Sequence, residues 1–84
     1  MIGKRVADNF DGLLNAGEYT KWIDPQGNVN WMCCTPNGHH GNLGQHRVEE
    51  HEDGTISVTP SILVSLSTGP VWHGFLKRGV WEAC

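Results

Sequence analysis

Polar and apolar residues alternate with period two along most of the chain, and no long stretch repeats at the helical period. The clearest run is Asp53 to Ile62, DGTISVTPSI. Asp53-Gly54 is a tight-turn dipeptide, because glycine takes the positive φ that a primed hairpin turn demands. Thr55, Ile56, Ser57, Val58 and Thr59 then alternate hydroxyl and aliphatic side chains, four of the five being β-branched. This predicts a strand with Ile56 and Val58 facing the core. Pro60 cannot donate to a ladder, so Ser61 is expected just past a kink or bulge, before Ile62, Leu63 and Val64 resume the apolar run.

The same pattern predicts the neighbouring elements. Glu18 to Ile23 reads as a strand with Tyr19 and Lys21 opposite Thr20 and Trp22. Asp24-Pro25-Gln26-Gly27-Asn28 is a turn by composition. Val29 to Cys34 returns, with Val29, Trp31 and Cys33 on one face and Asn30, Met32 and Cys34 on the other. Thr35 to Gln45 reads as a loop, His46 to Glu50 as a strand, and Ser65 to Pro70 as a polar loop with some freedom to move. Val71 to Lys77 alternates again, Lys77-Arg78-Gly79 turns, and Val80 to Cys84 closes the sheet. In Met1 to Gly17, Phe10, Leu13 and Leu14 share a helical face that Asp8 or Asn9 could cap; the alternative is an ordered arm packed on the sheet. The expectation is a mainly β, single-domain antiparallel sheet of about six short strands spanning 18–84, preceded by an arm or short helix over 1–17.

Composition narrows the function classes. A chain of 84 residues has a marginal core, which a metal, a disulfide or a partner commonly supplements. The net charge is −3 and the six basic residues are scattered, so nucleic acid is not the expected ligand. No apolar run approaches a membrane span and no signal peptide is visible, which predicts a cytoplasmic protein without membrane attachment. Three cysteines, two of them adjacent, sit beside five histidines. That count favours a metal over a disulfide framework.

Two constellations carry candidate chemistry. The first is Cys33-Cys34-Thr35-Pro36-Asn37-Gly38-His39-His40, a cysteine, a knuckle-like turn and histidines, as in half of a zinc ribbon. Cys84 is the expected ligand from elsewhere, with His40, His46 or His51 completing the set around one structural zinc. The plain alternative is a core cysteine and solvated histidines. The second is Ser61 with His73: if their strands pair, the histidine can take the serine proton as general base. Glu49, Glu50, Asp53 and Glu82 are possible orienting carboxylates. The four tryptophans, Trp22, Trp31, Trp72 and Trp81, are expected mainly in the core or half-exposed on the sheet, with a ligand or partner role open to one of them.

The segment DGTISVTPSI, together with the WMCCTPNGHH element and the Trp72-His73-Gly74-Phe75 to Trp81-Glu82-Ala83-Cys84 ending, resembles a family of short phage and bacterial proteins catalogued as a domain of unknown function. The resemblance covers about residues 29–84. It implies a small β fold with one structural zinc, and some members look like small zinc-containing serine peptidases of bacterial ubiquitin-like operons. Carried over by position, it implies Ser61 and His73 as the catalytic pair and Cys34 (or Cys33) and Cys84 among the zinc ligands. This chain departs from the pattern where Pro70-Val71-Trp72 replaces a cysteine and a serine ahead of the histidine. His39 with His40 or His51 would then have to substitute as ligands. The reading is a phage-type zinc-binding β domain in the host cytoplasm, with a peptide or protein partner and a serine-dependent hydrolysis. Its competitor is a non-catalytic accessory protein that binds or inhibits a host protein.

Overall fold

The computed structural model describes all 84 residues as eight strands and no helix: β1 Lys4–Arg5, β2 Glu18–Ile23, β3 Val29–Cys34, β4 His40–Asn42, β5 Arg47–Glu50, β6 Ile56–Leu66, β7 Gly69–Lys77 and β8 Val80–Ala83. They form two four-stranded sheets, ordered β1-β2-β3-β4 and β5-β6-β7-β8. Every pairing is antiparallel except β1 with β2, which is parallel. The six expected strands are present, but they are divided between two sheets, which corrects the expectation of a single antiparallel sheet. The two additions, β1 and β4, are short and lack the alternation that would reveal them.

One core lies between the sheets. Tyr19, Trp31 and Cys33 from the first meet Ile56, Val58, Ile62, Leu76 and Trp81 from the second, and Leu43 closes the cluster. Alternation explains the assignment, since each of these stands on the inward face of its strand. Trp72 stacks edge-on against Trp81 at 5.4 Å between ring centres. It also lies over Gly74, where a side chain would collide with the Trp72 ring and with the Glu82 carbonyl.

The first seventeen residues form no helix, which corrects the reading of Phe10, Leu13 and Leu14 as one helical face. Leu14 is buried and Leu13 is 84% exposed, so they do not share an environment. The reason is competition for backbone donors. Lys4, Val6 and Asn9 give their N–H groups to Gly17, Tyr19 and Lys21, and the Asn9 side chain bonds both the N–H and the carbonyl of Ile23. Further back, Ile2 bridges Val80 and Gly3 donates to the Gly79 carbonyl. The arm therefore runs from the edge of one sheet to the edge of the other. Arg5 and Lys21 both bond Glu50 on β5, at 2.7 and 3.0 Å, and both cover the face of Trp31.

Around Pro60 the register of β6 against β7 jumps from Val58↔Leu76 to Ile62↔Gly74. Strand β6 thus carries two residues more than its partner, in keeping with the missing proline N–H. Because the excess is two, Ile62 still faces inward and Ser61 outward. The stretch 65–70 is not a polar loop: β6 continues to Leu66 and β7 begins at Gly69, leaving a tight two-residue connection. No helix is long and apolar enough to cross a membrane.

Candidate functional site

Strand pairing places Leu63 directly opposite His73. Ser61, two residues from Leu63 and on the same outward face, is then a diagonal neighbour of His73. Its Oγ lies 2.9 Å from His73 Nε2. A hydrogen bond from the hydroxyl requires Nε2 unprotonated, with the ring proton on Nδ1. The backbone of Ser61 is held from the other side, where His46 Nε2 donates to its carbonyl at 3.1 Å. Since Nε2 of His46 must be the donor there, its Nδ1 is left buried without a partner. At the far end of the site, the Cys84 N–H bonds the carbonyl of His73.

The pair is a dyad rather than a triad. The molecule has three ion pairs and one His51–Glu49 contact, and none involves His73. Glu50 is committed to Arg5 and Lys21, whose hydrogen bonds hold its carboxyl below the usual range. Asp53 is lowered by the side-chain hydroxyl and N–H of Thr55, which it caps in the β5–β6 turn. Glu82, opposite Phe75 and so diagonal to His73 on the same face, makes no ion pair with it. Glu49 faces a different histidine.

That histidine is His51, placed in the sequence reading among metal ligands. Its Nε2 is 2.7 Å from Ser57 Oγ, and its Nδ1 is 3.8 Å from Glu49 Oε1. The β5–β6 register puts Glu49 directly opposite Ser57, and His51 extends the same outward face. A two-residue primed turn at Asp53-Gly54 would have paired Glu50 with Ser57; instead the His51 N–H bonds the Thr55 carbonyl and the Gly54 N–H the His51 carbonyl, so Glu50 pairs with Ile56 and Glu49, His51 and Ser57 fall on one side.

The donors expected to hold zinc do not come together. Cys34 and His40 are in cross-strand register, but no three histidine, cysteine or acidic side chains converge. Cys33 is in the core, where burial pushes its thiol up to about 12. Cys34 is buried on the opposite face beneath residues 14–17, and burial raises its thiol as well. His40 Nε2 donates to the Leu14 carbonyl, and Cys84 is exposed at the end of β8. The knuckle-like turn does form, but protein groups close it. Thr35 N–H bonds the His39 carbonyl, Gly38 N–H bonds the Thr35 carbonyl with Gly38 at φ +90°, and Asn37 Nδ2 reaches the Val71 carbonyl. His39 Nδ1 stays buried and unpartnered. In this arrangement the cysteines and histidines of the loop are not gathered around one point.

Trp31 and Trp81 are core residues, Trp72 packs against the core, and Trp22 is 37% exposed on the first sheet. Compared with known proteins, the chain matches no family model, no curated protein and no solved structure.

Proposed function

We propose that this chain hydrolyses an acyl or peptide bond, with Ser61 as nucleophile and His73 as general base. The observation that carries the reading is the 2.9 Å contact between Ser61 Oγ and His73 Nε2 on an outward sheet face. In the first step Ser61 Oγ bonds the substrate carbonyl carbon as its proton passes to Nε2. The imidazolium then protonates the departing amine or alkoxide. Water repeats the sequence to release the acid and restore the serine. The register jump leaves Ser61 without a paired residue on β7, so its own N–H is the donor proposed for the oxyanion. Leu63, across from His73 and 56% exposed, offers an apolar rest for the acyl side chain. Without a carboxylate on His73, modest turnover is expected.

The test is labelling with a serine-directed fluorophosphonate, located by peptide mass spectrometry. Label on Ser61 that vanishes in Ser61→Ala and His73→Ala, with circular dichroism unchanged, supports the reading. An unlabelled Ser61 in folded protein refutes it.

A second reading, a non-catalytic module that binds a protein partner, is supported by one surface. Ile23 and Val29, directly opposite each other and both more than a third exposed, form an apolar patch at the tip of the β2–β3 hairpin, while Trp22 is exposed on the other face.

A further inference from the structure

We propose that Ser57, His51 and Glu49 form a second serine–histidine–carboxylate relay, distinct from Ser61 and His73, that accepts acyl substrates carrying a cationic side chain. The Ser57 hydroxyl is oriented by two neighbours. Its Oγ accepts the Arg78 N–H at 3.0 Å and lies 2.7 Å from His51 Nε2. That N–H engages one lone pair of the oxygen, and the relay uses the tautomer in which the hydroxyl proton points to Nε2. The His51 ring proton is then on Nδ1, facing Glu49 Oε1 at 3.8 Å. That gap is longer than a hydrogen bond. Glu49 is 68% exposed, so a rotation of its side chain closes the gap. The His51 side chain is only 10% exposed, which fixes the ring between serine and carboxylate. The Arg78 N–H adds a further element, because its bond to Oγ strengthens as negative charge develops on that oxygen.

Charge sets the substrate class. The relay opens beside a cleft of about 630 Å³ lined by Glu49, Glu50, His51, Glu52, Asp53 and Arg78. Glu50 is neutralised by Arg5 and Lys21. Glu49, Glu52 and Asp53 remain against Arg78 and against Arg47, which lines the adjoining hollow with Glu49, Ser57 and Thr59, and the surplus of one negative charge favours a lysine or arginine beside the scissile carbonyl. In the reaction, the Ser57 Oγ–carbon bond forms while the proton moves to His51 Nε2. The bond to the leaving alkoxide breaks and His51 returns the proton to it. Water then enters by the same route to free the carboxylic acid.

The experiment uses Ser61→Ala protein, so the two serines are read separately. It measures fluorophosphonate labelling by peptide mapping and the hydrolysis of 4-nitrophenyl esters of Nα-acetyl-lysine and Nα-acetyl-norleucine. The proposal expects label on Ser57, at least a tenfold slower labelling in His51→Gln and Glu49→Gln, and at least a tenfold preference for the lysine ester in kcat/KM. Glu49→Gln keeps the fold, its side chain being mostly exposed, and rescues the test if His51→Gln unfolds. Label on Ser57 but not Ser61 in the parent protein upholds this relay and sinks the Ser61 reading. No label on Ser57 in folded Ser61→Ala protein overturns the relay.

Discussion

Replacing Gly74 with alanine tests the packing that holds the outward face in place. A Cβ built at Gly74 comes within van der Waals overlap of the Glu82 carbonyl oxygen on β8, and 2.8 Å from Trp72 Cζ2. The first obstacle is backbone. Gly74 pairs with Ala83 and Phe75 with Glu82, so relief requires β7 and β8 to separate locally. The second is an aromatic ring wedged against Trp81, which cannot move without opening the core. Overpacking of this kind costs about 1–3 kcal/mol, and the backbone obstacle places Gly74→Ala at the upper end. For a domain of this size, about 2–3 kcal/mol lowers Tm by roughly 10–20 °C. It lowers the urea midpoint by about 1–2 M at a typical slope for a small protein. Urea titration followed by tryptophan fluorescence reads the change directly, since Trp72 and Trp81 report on the site of the clash. Leu63→Ala, on the exposed face of β6, is the control and is expected within about 0.5 kcal/mol of the parent. A Gly74→Ala protein with an unshifted midpoint would refute the packing argument, and with it the view that Trp72 is fixed by the absence of a side chain beneath it.

Two further expectations follow from the ionisable groups. Arg5 and Lys21 lower the Glu50 carboxyl, so this pairing stabilises the fold above the unfolded-state value and is lost as pH falls through the folded one. Glu50→Gln is therefore expected to be less stable at pH 7, by no more than about 1 kcal/mol for so exposed a pair, and equal to the parent near pH 2.5. Urea midpoints at both pH values check it, and a gap that persists in acid contradicts it. Iodoacetamide at pH 8 is expected to modify Cys84 alone in native protein, because Cys33 is pushed up to about 12 and Cys34 is also raised and buried. Mass spectrometry of the intact chain would show a second adduct only after denaturant is added.

The strands were legible wherever side chains alternate. Ile56 and Val58 are inward as expected, and the β2–β3 hairpin with its Asp24–Asn28 turn is where composition placed it. The arm was not legible, because Lys4 and Arg5 join a sheet through backbone bonds that carry no side-chain pattern. The contact between Ser61 and His73 depended on register, and register depended on a two-residue turn at Ser67-Thr68, a one-residue slip between Val64 and Ser65 and the two-residue excess at Pro60. None of these can be counted from hydrophobicity. The cysteine-histidine loop was misleading for a different reason: its turn geometry is real, yet Thr35 and Asn37 satisfy it. The contact of His51 with Ser57 was hidden because the two-residue turn expected at Asp53-Gly54 gives a register one residue away from the one that forms.

The doubled excess at Pro60 makes strand length a matter of parity. Removing one of Thr59 and Pro60 would turn everything downstream by half a pleat, sending Leu63 inward and exposing Ile62 and Val64. Removing both would shorten the strand and leave every side chain on its present side. Changes of length in this segment are therefore tolerated only in even steps, and the outward placement of Ser61 is tied to the inward burial of Ile62 by the alternation of the strand.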